Sequence, residues 1–151
     1  ELPEGRGDIS KLKFKNKIIN YVDESYNSNP LSLKTALINF AGINSNKNSK
    51  HVVLSDMLEL GKNSLSHHKS VSDLINKLEI DKVHIYGKLI KNTYEGLRKN
   101  KKGLVLNNIF QINDLINKTL SNNDYLMLKG SNSTGLNKHS KILKLRKINA
   151  L

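Results

Sequence analysis

Four polar stretches hold the residues of this sequence that can do chemistry. The first, Asp23-Glu24-Ser25-Tyr26-Asn27-Ser28-Asn29-Pro30, follows the apolar run Ile18-Ile19-Asn20-Tyr21-Val22 and precedes a helical pattern through Leu33, Ala36, Leu37 and Phe40. Pro30 suits a first helical position and Asn29 the N-cap before it. A helix entered this way presents free N–H groups and a positive dipole, which favour an anion. Asp23 or Glu24 can accept ribose hydroxyls or bind an ammonium group. The second stretch is Ser55-Asp56-Met57-Leu58-Glu59-Leu60-Gly61. Asp56 ends a very apolar run, where a carboxylate is costly unless solvated or paired, and Glu59 and His68 add titratable groups. The third is Tyr86-Gly87-Lys88, and the fourth is Lys129-Gly130-Ser131-Asn132-Ser133-Thr134-Gly135. In the fourth, small residues leave backbone N–H groups open beside hydroxyls and one cation, a combination that can hold a carboxylate or phosphate. Each stretch also has a purely structural reading: a capped turn, an N-capping Asp56, a satisfied core His68, a tight turn at Gly87, a polar linker.

The elements that must position these stretches follow from apolar periodicity. Strands are predicted over 17–23, 51–56, 82–86, 104–106 and 125–128. Helices follow each: one through Leu33, Leu37, Phe40 and Ala41; one through His68, Val71, Leu74, Ile75 and Leu78; one over 89–97; one over 112–120; and one over 137–147 with Ile142 and Leu145 inward. Alternating strands and helices predict an α/β fold, a mostly parallel sheet with helices on both faces. All four polar stretches then leave the carboxyl ends of strands, on one edge of the sheet, where such folds bind ligands. Residues 44–50 and 100–103 read as connections on the far side. Residues 1–12 read as an interdomain linker or the start of the domain, and 13–151 as one domain.

Composition narrows the classes. The 151 residues include no cysteine, which excludes disulfides, thiolate metal sites and a cysteine nucleophile. No apolar run approaches the roughly 20 residues of a membrane helix, and nothing at the start reads as a signal peptide. The chain opens at Glu1 rather than Met, which reads as a piece of a larger protein. The net charge of +12, from 25 Lys and Arg against 13 Asp and Glu, favours anionic partners. The lysines are scattered, however, and aromatics do not interleave them, which weighs against a nucleic-acid-binding module. The phosphate loop GxxxxGK[ST], the dinucleotide fingerprint GxGxxG, HExxH and GxSxG are all absent.

Together these stretches resemble the C-terminal domain of the Mur ligases, ATP-dependent amide-bond-forming enzymes of bacterial cell-wall synthesis. The resemblance rests on Gly5-Arg6-Gly7, on residues 23–30 (close to DDSYNANP), on 54–61 with His68 (close to LGDMxELG and a following histidine) and on Lys129-Gly130-Ser131-Asn132-Ser133 (close to KGSRS), in family order over nearly the whole chain. It implies a Rossmann-like third domain of a three-domain cytoplasmic enzyme. The N-terminal domain would hold UDP-N-acetylmuramoyl-tripeptide, the central one ATP and Mg2+, and this one would bring D-alanyl-D-alanine. The reaction would pass through an acyl phosphate. The resemblance places Arg6, Asp23, Glu24 and Tyr26 at the nucleotide and Asn27, Ser28, Asn29, Asp56, Lys129 and Ser131 at the dipeptide. Pro30 and His68 are supports, and no residue here is catalytic on its own.

Three positions depart from the family pattern: Glu24 stands for Asp, Ser55 for Gly and Asn132 for Arg. The longer Glu24 changes the reach to a ribose, Ser55 narrows the approach to its backbone, and Asn132 removes a cation. A sister ligase adding another amino acid is the nearest alternative, but the Tyr26-Asn27 form of the first motif points away from it.

Overall fold

A computed structural model of the chain describes residues 8–148. Six strands form one sheet: β1 (Asp8–Phe14), β2 (Lys17–Glu24), β3 (Lys50–Ser55), β4 (Lys82–Tyr86), β5 (Lys102–Leu106) and β6 (Tyr125–Lys129), in the order β1-β2-β6-β3-β4-β5. All neighbours are parallel except β1 and β2, an antiparallel hairpin in which Phe14 faces Lys17. Among the described residues there are five α-helices: α1 (Pro30–Ala41), α2 (Ser64–Lys77), α3 (Lys91–Glu95), α4 (Gln111–Lys118) and α5 (Leu136–Leu143). No helix among the described residues is long and apolar enough to cross a membrane.

The predicted architecture is present, with two corrections. The antiparallel edge strand β1 was not among the predicted strands. It alternates strictly, Ser10, Leu12 and Phe14 inward and Ile9, Lys11 and Lys13 outward, the pattern of a strand covered on one face. Outward lysines also discourage pairing with another chain. The second correction concerns α5, whose inward face is not Ile142 and Leu145. Those are 49% and 84% exposed, whereas Leu136, His139, Ser140 and Leu143 are buried. The buried seam is half polar, with Ser140 Oγ hydrogen-bonded to the Tyr21 hydroxyl beneath the sheet, and the helix tightens into a 3-10 turn after Leu143.

Alternation along the strands divides the core. Val22, Val52, Leu54, Val83, Ile85 and Met127 face α1, α2 and the α3 region, while Ile19, Tyr21, Val53, Leu126 and Leu128 face α4 and α5. The helices after β2 and β3 therefore lie on one face, and the helix after β6, the strand between them, lies on the other. The connections separate there, so a crevice opens at the carboxyl end of β6.

The opposite edge is closed by lysines. Lys17 Nζ donates to the carbonyls of Ile116 (2.9 Å), Asn117 (3.0 Å) and Leu120 at the end of α4. The Lys50 ammonium donates to Ala41 O (2.6 Å) at the end of α1, and Lys101 to Ile75 O (2.8 Å) and Leu78 O at the end of α2. Each ammonium satisfies orphan carbonyls at the negative pole of a helix. Part of the +12 charge is thus spent inside the fold. Beside these lysines, His51 and His84 lie edge to edge, with ring planes parallel to within 2° and ring centres 5.2 Å apart. Leu104 N–H donates to His84 Nδ1 (2.9 Å), so His84 Nε2 carries the proton and donates to His51 Nδ1 (2.9 Å). That leaves His51 Nε2–H facing Asp124 Oδ2 at 3.9 Å.

Burial, then the neighbouring His51 and Lys82, pushes His84 down to about 3, and burial also lowers His51 against the pull of Asp124. Both imidazoles are neutral in the fold, whereas in the unfolded chain they take protons near 6.5. The unfolded state therefore binds more protons below that pH. The contribution of His84 is complete above about pH 6.5 and is lost toward pH 3, by at most about 1.4 kcal/mol per pH unit, and His51 acts in the same direction. Urea midpoints between pH 7.5 and 4.5 should show this slope, and His84→Gln should flatten it. Lys17→Met should lower stability by about 2 kcal/mol, the value of hydrogen bonds to a charged group, in urea unfolding at pH 7.5.

Candidate functional site

At the crevice, Ser131 ties three loops together. Its hydroxyl accepts from Leu58 N–H (2.8 Å) and donates to Ser28 O (3.3 Å), and its own N–H donates to Asp56 O (3.0 Å). The loops after β2, β3 and β6 thus share one side chain, itself only 5% exposed. Lys129, at the end of β6, adds a second tie: its Nζ donates to Asn27 O and lies 3.9 Å from Glu24 Oε2.

The other expected residues take distinct places. Arg6 lies outside the described residues. Asp23 is fully buried and turned inward, with Oδ1 accepting from Ser25 N–H (3.1 Å) and the Ser25 hydroxyl, and Oδ2 2.8 Å from Lys144 Nζ. Glu24 is half-buried at the crevice, and Tyr26 and Asn27 are exposed. Ser28 is buried, and its hydroxyl has no hydrogen-bond partner among the described residues. Asn29 caps α1 as expected: Ser32 N–H donates to its Oδ1 (2.9 Å) and Ser32 Oγ accepts from Asn29 N–H (3.0 Å), a reciprocal box with Pro30 next in line.

Asp56 serves the neighbouring loop, because its Oδ1 accepts from Ile90 N–H (2.7 Å). Gly87, at φ +135, lets that carboxylate come close; a Cβ there would stand 2.6 Å from Asp56 Oδ1. His68 is a satisfied core histidine. Met57 N–H donates to its Nε2 (3.1 Å), while Nδ1–H donates to Ser64 O (2.7 Å). It anchors the start of the β3 loop to α2. Ser55 is buried, and its hydroxyl donates to Tyr86 O at the end of β4. A Cβ on Gly130 would lie 2.8 Å from Ser55 Cβ, so the serine at 55 requires glycine at 130.

Two cavities flank Asn27. One, of about 410 Å³, is lined by Glu24, Asn27, Asn29, Ser32, Asn39 and Lys129 among others. The other, of about 370 Å³, is lined by Asn27, Leu58, Glu59, Ser131, Asn132 and Ser133. The first joins a carboxylate and a cation to the mouth of α1; the second joins a carboxylate to hydroxyls and amides. Glu59 was read from the sequence only as a nearby titratable group, and its place in a cavity depends on the loop contacts just described. A larger cavity of about 950 Å³ lies at the opposite edge, around Lys50, His51, His84, Lys101 and Asp124. There Lys50 and Lys101 serve helix carbonyls, the histidines serve each other, and Asp124 accepts from Ser49 N–H (3.0 Å) and Ser121 N–H (2.8 Å). Those polar groups hold the fold, which leaves the carboxyl edge as the candidate site.

The chain is similar to known proteins over most of its length. The family model described as "Mur ligase, glutamate ligase domain" matches residues 10–132. A UDP-N-acetylmuramoyl-tripeptide–D-alanyl-D-alanine ligase from Buchnera aphidicola is 31% identical over 130 residues, 82% of this chain and 26% of that protein. The enzyme of the same name from Bacillus subtilis is 30% identical over 116 residues, 75% of this chain and 25% of that protein. The chain therefore spans about a quarter of the length of these curated relatives. Among solved structures, a MurF ligase from Thermotoga maritima in complex with ADP aligns with a TM-score of 0.73 at 20% identity, covering 97% of this chain and 32% of that one. One from Acinetobacter baumannii gives 0.74 at 23% identity, covering 95% and 31%. These two likenesses bear on the fold. With the family model matched over residues 10–132, most of the sheet, the chain belongs to the Mur ligase family, as its glutamate ligase domain.

Proposed function

We propose that this chain is the C-terminal domain of an ATP-dependent ligase that joins D-alanyl-D-alanine to UDP-N-acetylmuramoyl-tripeptide in bacterial peptidoglycan synthesis. The observation that carries the reading is the convergence of residues 23–30, 55–61 and 129–135 on Ser131 at one crevice. Relatives bearing that enzyme name support the substrate assignment.

In this reading the cavity containing Glu24 and Lys129 takes the nucleotide's ribose, with Arg6 and Tyr26 nearby. The cavity beyond Asn27 takes the dipeptide. Asn27 and Ser131 line the dipeptide cavity, Ser28 and Lys129 brace it through Ser131 and the Asn27 carbonyl, and Asn29 stands on the ribose side, while Asp23, Asp56, His68 and Pro30 hold the loops in place. The residues fit the ribose end of ATP but not its phosphates, since the phosphate loop is absent. Among the described residues, no group of three His, Cys, Asp or Glu side chains can hold a metal ion. Mg2+ and the phosphates are assigned to the central domain of the same cytoplasmic enzyme, and the tripeptide to its N-terminal domain. ATP supplies the phosphoryl group that activates the tripeptide carboxylate as an acyl phosphate. This chain presents the dipeptide amine, whose nitrogen forms the new C–N bond as phosphate leaves. Closure of the domain over the centre aligns the reactants and excludes water.

In the full-length enzyme, phosphate release should require both the tripeptide substrate and D-alanyl-D-alanine, and the isolated chain should release none. Release indifferent to the dipeptide would overturn the assignment. Ser131→Ala should lower kcat/KM for the dipeptide by about tenfold or more, because a buried N–H and a carbonyl lose their partner and three loops come apart. Steady-state kinetics beside a urea unfolding curve will separate that effect from a general loss of fold.

A further inference from the structure

We propose that Glu59 is the carboxylate that receives the ammonium group of the incoming amine substrate, in the cavity of about 370 Å³ that it shares with Asn27, Ser131 and Ser133. This deepens the functional reading above and rests on it. Four acidic side chains stand at the carboxyl edge of the sheet, and three have work within the protein. Asp23 is held by Ser25 and Lys144, Glu24 lies against Lys129, and Asp56 accepts from Ile90 N–H. Glu59 makes no hydrogen bond or ion pair among the described residues, and it is exposed in the cavity wall.

Its backbone is held firmly. Glu59 has φ +62, in the left-handed region that glycine enters without strain, and Gly61 follows at φ +64. Just before it, Met57 N–H is fixed on His68 and Leu58 N–H on Ser131. The carboxylate therefore stands on a braced loop, opposite the hydroxyls and amides of the β6 loop. A long acidic side chain in a backbone conformation that favours glycine points to a use for its charge.

The chemistry matches a small ammonium ligand. The cavity volume is at the low end of ligand sites, about 300–1,000 Å³. Leu58 offers an apolar wall for a methyl group, and the Asn27 carbonyl side and the serines can share the ammonium's donors or the ligand's amide. In a chain of net charge +12, a cationic group is repelled at long range, so a local carboxylate is what holds it.

The test uses the full-length enzyme. Glu59→Gln should raise KM for D-alanyl-D-alanine by about tenfold or more and leave KM for ATP and for the tripeptide substrate within about twofold. Glu59→Gly should raise the same KM without lowering the thermal midpoint, which separates lost charge from a collapsed loop. N-acetyl-D-alanyl-D-alanine, which lacks the ammonium, should inhibit wild type and Glu59→Gln equally. An unchanged dipeptide KM in Glu59→Gln overturns the inference, as does equal weakening of the acetylated dipeptide. If the wild-type enzyme does not consume D-alanyl-D-alanine, the functional reading falls and this inference falls with it.

Discussion

The hydroxyl of Ser131 is the contact on which the crevice depends. A serine hydroxyl has one proton to give and two lone pairs to receive. Here it gives to Ser28 O and receives from Leu58 N–H, while the Ser131 backbone N–H reaches Asp56 O. Loops are ordinarily the most mobile parts of an α/β fold. Three of them share one buried residue in this chain, so their relative positions are set before any ligand arrives. Such preorganisation is the property a site needs if it is to align an amine for attack.

Charge is partitioned by edge. At the amino ends of the parallel strands, lysines serve the carbonyl ends of helices and a neutral histidine pair fills the interior. At the carboxyl ends, carboxylates serve loops and leave Glu59 over. A net charge of +12 would by itself point to a polyanion. The structure instead accounts for several lysines as structural caps, a use that counting charges does not reveal.

The sequence made the sheet and the loop edge legible because both follow from local pattern. Val52-Val53-Leu54 is an apolar run wherever it sits, and Asn29-Pro30 announces a helix start whose cap is present in full. The edge strand was less legible, since Ile9 to Phe14 alternates with lysines and lies outside the strand–helix rhythm. The inward face of α5 was misread because half of it is polar: Ser140 is buried against the Tyr21 hydroxyl and His139 beside the Phe110 ring. The roles of Asp56 and Ser131 were least legible. Asp56 meets Ile90 34 positions away, and Ser131 meets Ser28 103 positions away. Contacts of that kind are written in topology, not in neighbouring residues.

The packing around Gly130 limits what could be exchanged between proteins. A Cβ there would stand 2.8 Å from Ser55 Cβ, 2.9 Å from Leu136 Cδ1 and 3.2 Å from Thr134 Oγ1. Glycine at 130 therefore answers to β3 on one side and to its own loop and α5 on the other. A replacement loop with any side chain at that position would collide with both, so the segment carrying Ser131 is interchangeable only with loops that keep the glycine.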